Sequence, residues 1–195
     1  MKRFLLQKNK ERNRGFTLVE ALLAVSIFTV SVLALLSVIA DGIADTNYAK
    51  RKMTAAYLAQ EGVEVMRNLR DTHIVYSPGG SAWSTFKNKI NNPPAECDQA
   101  NGCYFDTDTL DYGDQSEPIS DLPFIACGSA CPTLLFDSAS GEYNYSSGDN
   151  SGFVRKIHST VISPSEIKIS ATVSWTQGSG TYQLTLSENL FDWLE

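Results

Sequence analysis

The chain has 195 residues, 43% of them hydrophobic, which suffices for one modest globular domain beside a long helix. Its 22 acidic and 16 basic side chains give a net charge of −6. Six basic residues and one acidic residue lie within the first 15, so the remainder has 10 basic and 21 acidic side chains and a net charge of −11. This excess of acid argues against a general nucleic-acid surface, because phosphate binding needs clustered Lys and Arg.

Two N-terminal segments differ sharply in composition. Residues 1–15 are basic, and residues 16–40 form a 25-residue apolar run whose only charged side chain is Glu20. At about 1.5 Å per residue, a helix of this length crosses a hydrocarbon core of roughly 30 Å. The basic flank should stay in the cytoplasm. The sequence therefore predicts a single-pass protein of the cytoplasmic membrane, with its N-terminus inside and its C-terminus outside.

The junction between these segments is unusual for a secretory signal. A secretory peptidase cuts after the apolar segment, whereas here the switch from polar to apolar falls between Gly15 and Phe16. A carboxylate within a membrane segment costs on the order of a few kcal/mol, so Glu20 indicates a compensating partner.

The sequence RGFTLVE at residues 14–20, followed by the apolar run, resembles the processing signature of type IV prepilins and pseudopilins. The resemblance covers roughly residues 10–70. It implies that a prepilin peptidase cuts after Gly15 and methylates the new N-terminus at Phe16, and that Glu20 meets the Phe16 amine of a neighbouring subunit. An ammonium and a carboxylate offset each other's cost of burial. The alternative is a simple signal-anchor helix in which Glu20 snorkels to the membrane edge.

The resemblance also implies the partners. These are other pilin or pseudopilin subunits through the N-terminal helix, the peptidase and methyltransferase, the assembly platform of a pilus or secretion system, and the membrane. It implies a structural protein without a cofactor, found finally in an extracytoplasmic pilus or pseudopilus.

The chain departs from major pilins in two ways: no proline lies within residues 16–40, and the last cysteine is Cys131, whereas major pilins often close a disulfide loop near the C-terminus. A minor pilin is favoured, because the chain has an elaborate cysteine-bearing head and lacks the helix proline. A type II secretion or competence pseudopilin is the alternative within the family. A membrane-anchored extracellular binding module that never polymerises is the alternative from another class.

The helix should continue beyond the membrane to about residue 72. One helical stripe between Ala55 and Leu69 carries small and apolar residues and should pack on a head domain of residues 73–195. Gly42 is the expected flexible point, and residues 77–80 form a loop. A short helix from Ala82 to Ile90, capped by Ser81, follows. Its apolar face contains Trp83, Phe86 and Ile90.

Four cysteines lie in the exported part, where disulfides persist. Of the three possible connectivities, the local pairs Cys97–Cys103 and Cys127–Cys131 are favoured, because short glycine-containing loops bring such cysteines together. The competing interpretation is a four-cysteine zinc site, whose usual spacings fit poorly here.

The segment from Ala95 to Pro132 has little periodicity and is predicted to be irregular. Its aspartates resemble a calcium loop, but the central glycine and terminal glutamate of an EF-hand are missing. Solvated turn carboxylates are favoured, so no metal site is predicted. The weak calcium candidates are Asp106, Asp108, Asp111 and Asp114.

From Pro132 onward the pattern becomes β. Thr133–Asp137 and Glu142–Ser146 should form a hairpin, and further strands should complete a meander over about residues 133–190. The amphipathic half of the long helix should cover the buried face of this sheet. The fold class is α+β, a long N-terminal helix packed on an antiparallel head. The alternating inward residues of the clearest strand are Ile167, Ile169, Ala171, Val173 and Trp175.

No catalytic constellation is present in the sequence. His73 and His158 are the only histidines, and neither has a metal-ligand spacing. There is no Gly-x-Ser-x-Gly, phosphate loop or His-Glu-x-x-His. Trp83, Trp175 and Trp193 are expected in the core or at its rim. The sequence predicts a protein that is not an enzyme.

Overall fold

The computed structural model describes residues 15–76, 81–107 and 122–193. The chain forms two compact units, Met1–Asn47 and Tyr48–Glu195. The first unit contains the N-terminal part of helix α1, and the second contains the rest of that helix and the head. The helices are α1 (Leu18–Tyr76) and α2 (Ala82–Asn91).

Within the described residues of the second unit, seven strands form one sheet. β5 is its longest strand and pairs with β1 and β3 along one edge and with β6 along the other. β6 also pairs with β7, and every pairing is antiparallel. The strands are β1 (Cys103–Phe105), β2 (Phe124–Ala126), β3 (Thr133–Asp137), β4 (Glu142–Asn144), β5 (Asp149–Ser163), β6 (Glu166–Gln177) and β7 (Gly180–Phe191).

The predicted β pattern at the C-terminal end is confirmed. All five inward residues that the alternation selects on β6 are at most 3% exposed. β3 and β4 form the predicted hairpin. Period-two alternation identifies these strands because one face of the sheet is buried and the other faces solvent.

The head part of α1 covers the buried face of the sheet, as the sequence predicts. Gly62 sets how closely the helix approaches. A Cβ atom built there would lie 2.8 Å from Cδ1 of Ile157 on β5 and 3.0 Å from Cβ of Ala171 on β6. Since these positions leave no room for a methyl group, glycine lets helix and sheet meet. The α+β fold class is confirmed. The buried apolar residues on this helix are Ala55, Leu58, Ala59, Val63, Val65, Met66 and Leu69.

Two ion pairs also tie α1 to the sheet. Arg155 on β5 is 1% exposed; its Nη1 lies 2.9 Å from Oε2 of Glu61, and its Nη2 donates to the Phe105 carbonyl oxygen at 3.2 Å. Arg67 donates to both carboxylate oxygens of Glu188 on β7, at 3.1 and 2.5 Å. A buried guanidinium is tolerated only when it is paired, so the Glu61 carboxylate allows Arg155 to lie in the core.

The structure differs from the sequence prediction in three details. Helix α1 continues to Tyr76, beyond the expected end near residue 72. The segment predicted to be irregular contains β1 and β2, which at three residues each are too short to show periodicity. Ser81 precedes α2 as predicted, but its side chain makes no capping hydrogen bond. The buried face of α2, with Trp83, Phe86 and Ile90, is the predicted one.

Two disulfides join Cys97 to Cys103 and Cys127 to Cys131. These are the two local pairs, and no free cysteine is present. All four sulfur atoms are therefore in disulfides, which leaves no thiolate for a zinc site.

Candidate membrane and assembly segment

Helix α1 begins at the predicted processing junction. Oγ1 of Thr17 accepts a hydrogen bond from the backbone N–H of Glu20 at 3.3 Å, and the Thr17 carbonyl oxygen accepts one from Ala21 at 3.1 Å. Thr17 therefore caps the helix. Its role is absent from the sequence prediction, although Thr-x-x-Glu before an apolar run is a capping-box signal.

The three residues predicted for processing and assembly lie together at this end of the helix. Gly15 precedes α1, Phe16 is 75% exposed, and Glu20 is exposed in the first helical turn. The positive end of a helix dipole stabilises a carboxylate at this position. Both the peptide bond after Gly15 and the Glu20 carboxylate are accessible from outside this unit.

The helix surface that follows is apolar on every side. Among the described residues, one helix is long and apolar enough to cross a membrane, and the 18-residue window that identifies it has a mean hydropathy of 2.7. None of that window is buried by the protein itself. A water-soluble protein rarely exposes so large an apolar surface, so lipid or other apolar helices must cover it. The exposed apolar residues are Phe16, Leu18, Val19, Leu22, Leu23, Val25, Ile27, Phe28, Val30, Val32, Leu33, Leu35, Leu36, Val38 and Ile39.

Hydroxyl side chains within this surface bond back to the helix. Ser26 donates to the Leu23 carbonyl oxygen at 2.9 Å, Thr29 to that of Val25 at 2.7 Å, and Ser31 to that of Ile27 at 2.8 Å. These bonds satisfy the hydroxyl hydrogens without water. The segment is thus compatible with a hydrocarbon environment, where unpaired polar groups are costly.

Residues 10–36 match the family model of the prokaryotic N-terminal methylation motif. The chain carries the type IV pilin and pseudopilin signature. The match spans the basic flank, the Gly15–Phe16 junction and most of the apolar run. No curated protein and no solved structure matches the chain.

The pilin signature and the fold agree. A long helix that is apolar in its N-terminal part and packs on an antiparallel sheet through its C-terminal part is a pilin-like architecture. The apolar helix and the motif are together consistent with anchoring in a membrane. Gly42 lies inside α1, and its carbonyl oxygen accepts a hydrogen bond from Oγ1 of Thr46 at 2.7 Å. Flexibility at Gly42 stays a prediction.

The described polar residues of the head offer no candidate metal site. Within the described residues, no group of three His, Cys, Asp or Glu side chains could hold a metal ion. Asp106 accepts a hydrogen bond from the Tyr145 backbone N–H at 2.9 Å, which gives it a structural role. The other calcium candidates, Asp108, Asp111 and Asp114, lie outside the described residues.

The two histidines have different environments. His73 is buried near the end of α1, and burial lowers the pKa of its imidazole, with a smaller contribution from the positive charge of Lys89. Nδ1 of His158 lies 3.4 Å from Oγ1 of Thr160 on the outer side of β5. Trp83 and Trp175 are buried, whereas Trp193 is exposed.

Proposed function

We propose that this chain is a structural, non-enzymatic subunit of a type IV pilus, and specifically a minor pilin. It is made as a membrane-anchored prepilin, cut between Gly15 and Phe16, methylated at Phe16 and assembled through its N-terminal helix. The methylation motif over residues 10–36 is the observation that carries the proposal. The unbroken apolar surface of the same segment supports it, because that surface requires a covering partner.

Glu20 has a specific role in this assembly. Cleavage releases a positively charged amine at Phe16, four residues before the single carboxylate of the apolar run. Each charge alone is expensive in hydrocarbon, and together they are much less so. Phe16 lies just before α1 and Glu20 lies in its first turn. Because the chain end cannot easily fold back onto its own Glu20, the amine reaches a Glu20 carboxylate most readily on a neighbouring subunit. The pair then sets the axial register between adjacent helices.

The choice of a minor subunit depends on the head and the helix. The apolar run contains no proline, and the head has two short disulfide-closed loops in its N-terminal half. An elaborate head suits a subunit that is present in few copies and has a specialised role.

One experiment tests processing and assembly together. Tagged wild type, Glu20→Ala and Glu20→Gln are produced in the native host, and sheared filaments and membranes are analysed separately. We expect mass spectrometry of wild type to find N-methylated phenylalanine as the first residue. Both variants should be cut and inserted normally but depleted in filaments, and Glu20→Gln should resemble Glu20→Ala because it keeps the shape and loses the charge.

Asp41→Asn is the matched control, since it removes one carboxylate just beyond the apolar run. It should enter filaments as wild type does. An intact Met1 in the mature protein, a cut beyond residue 40, or wild-type incorporation of both Glu20 variants would refute the proposal. A wild-type protein that never leaves the membrane would instead support the anchored binding module.

A further inference from the structure

The outer face of β5, β6 and β7 differs in charge from the rest of the protein. On this face, one residue from each of the three strands lies side by side in a cross-strand row. Four consecutive rows contain Lys156, His158 and Lys168 and no carboxylate. The remaining outward side chains are mostly hydroxyls and amides. The residues after position 15 have a net charge of −11, so a face with cations and no carboxylate is the part of the head where an anion meets the least repulsion. The rows are Val154, Ser174 and Gln183; Lys156, Thr172 and Thr185; His158, Ser170 and Ser187; Thr160, Lys168 and Asn189.

A groove of about 270 Å³ lies at one end of this face. The loop closed by the Cys127–Cys131 disulfide forms one wall, with Ser129 and the neighbouring Asn101. The Asn101 side-chain amide donates to the Gly128 carbonyl oxygen and so braces that loop. The floor consists of outward side chains of β5, β6 and β7, namely Val154, Lys156, Thr172, Ser174 and Gln183. The disulfide and the sheet thus build the groove jointly.

The aliphatic stem of Lys156 packs closely against the backbone at Gly102. Gly102 has a φ of +66°, and a Cβ atom there would lie 2.9 Å from Cγ of Lys156 and 2.3 Å from the Ile157 carbonyl oxygen. The Lys156 stem therefore lies directly over Gly102. Within the described residues, the Lys156 ammonium has no carboxylate partner within 4.0 Å. An ammonium without a carboxylate partner can bind an external carboxylate.

The other polar groups fit a ligand with many hydroxyl groups. Ser129, Ser174 and Thr172 can donate and accept hydrogen bonds, and the amides of Asn101 and Gln183 offer both functions as well. Oγ1 of Thr172 lies 2.9 Å from Oγ1 of Thr185, which orients the hydroxyl within the row. One charge surrounded by mixed donors and acceptors is complementary to a sugar ring that bears a carboxylate.

Two other ligand classes fit less well. A peptide strand cannot pair beside Lys156 or Thr172, because β5 and β6 already have neighbours along both edges. Nucleic acid requires several cations or stacking aromatic rings, whereas the groove contains one ammonium and no aromatic ring among its lining residues. Its volume is slightly below the range of about 300–1,000 Å³ for drug-sized ligands, which suits a single ring.

We propose that the groove between the Cys127–Cys131 loop and the outer face of β5–β7 binds an acidic saccharide, with Lys156 on its carboxylate. Hydroxyls and amides of the groove, including Thr172 and Gln183, bind its ring hydroxyls. The groove consists only of head residues, so this proposal can be tested independently of the proposed role in filaments.

The test measures binding of glucuronate and galacturonate to the full mature chain in detergent micelles by saturation-transfer NMR and calorimetry. Glucose and galactose are the neutral controls, and a short DNA duplex is the competing anion. Lys156→Gln should weaken uronate binding about tenfold or more, because it removes a charge-assisted hydrogen bond. Lys168→Gln is the matched control, since it makes the same charge change on the same face outside the groove. It should bind uronate as wild type does.

A second variant tests the groove without changing its charge. Gln183→Leu should also weaken uronate binding while leaving the unfolding temperature of the head unchanged, because this side chain is exposed. Absence of uronate binding by wild type at about 10 mM would overturn the proposal, since specific recognition lies below this concentration range. Equal losses in Lys156→Gln and Lys168→Gln, neutral sugars binding as well as uronates, or binding of DNA alone would also overturn it.

Discussion

Replacing Gly62 with alanine should destabilise the head, although alanine favours a helix. In a helix interior, alanine is better than glycine by about 0.8–1 kcal/mol. Opposing this gain, the added methyl would lie 2.8 Å from Cδ1 of Ile157 and 3.0 Å from Cβ of Ala171, both in the core. Optimal carbon contacts are about 3.5–4.0 Å, and an extra methylene in a well-packed core typically costs about 1–3 kcal/mol.

The difference between these two effects gives the expected magnitude. Gly62→Ala should lower the free energy of unfolding by about 1 kcal/mol, within a range of about 0–2 kcal/mol. For a domain of this size, that corresponds to a fall in Tm of about 2–4 °C per kcal/mol. Gly62→Val should cost more, because its two further carbons have no space against the sheet and valine is a poorer helix former.

Gly42→Ala is the matched control within the same helix. A Cβ atom at Gly42 would have no atom within 4 Å, so this variant has the propensity gain without the overlap. Urea unfolding of the mature chain in micelles, followed by the fluorescence of Trp83 and Trp175, measures head stability. We expect Gly42→Ala to leave the urea midpoint unchanged. A Gly62→Ala head as stable as wild type, or more stable, would refute the inference that this glycine sets the distance between helix and sheet.

Two further predictions concern charges in the head. Glu61→Ala should lower the free energy of unfolding by about 2–4 kcal/mol, because it leaves the buried Arg155 guanidinium without its carboxylate partner. Glu61→Gln should lower it by less. Urea titration measures both variants, and two variants as stable as wild type would contradict this prediction. Burial lowers the pKa of His73 in the folded state, so the folded protein favours the neutral imidazole. The stability that this preference contributes is fully present above the pKa of the unfolded state, near 6.5, and is lost as the pH falls below that value. His73→Asn should therefore reduce the loss of Tm between pH 7.5 and 5.5, and an unchanged pH dependence would show that another group is responsible.

The parts of the fold that follow from sequence are those with a repeated local signal. Alternation over Ile167–Trp175 determines which side of β6 is buried, because every second residue must face the core. The three-residue strands β1 and β2 offer no such repeat and are fixed by pairing with β5 and with each other. Gly62 fits the apolar stripe of α1, but its close contact with Ile157 depends on a strand almost a hundred residues away.

The two candidate sites also differ in whether their residues lie close together in the sequence. The methylation motif is contained in one short segment, so the amino-acid sequence alone is enough to predict processing at Gly15 and Phe16 and a role for Glu20 in assembly. The outer groove combines Asn101, Ser129 and side chains from three separate strands. No pattern within a single segment indicates this groove, because its residues become neighbours only through strand register and the Cys127–Cys131 disulfide.

The apolar side chains of residues 16–39 and the Glu20 carboxylate contribute free energies of very different size to the proposed assembly. Fifteen large apolar side chains between Phe16 and Ile39 are exposed. Burial of each is worth about 1.5–3 kcal/mol, so exposing all of them to water would cost of the order of 20–45 kcal/mol. A subunit cannot leave the bilayer for a filament unless neighbouring helices cover this surface throughout the transfer. The cost of a lone Glu20 in hydrocarbon is about ten times smaller, a few kcal/mol. Under the proposed function, apolar contacts therefore hold the subunit in the filament, and Glu20 selects one register among helices that would otherwise slide past one another. This division is why Glu20→Gln should leave membrane insertion intact while reducing incorporation.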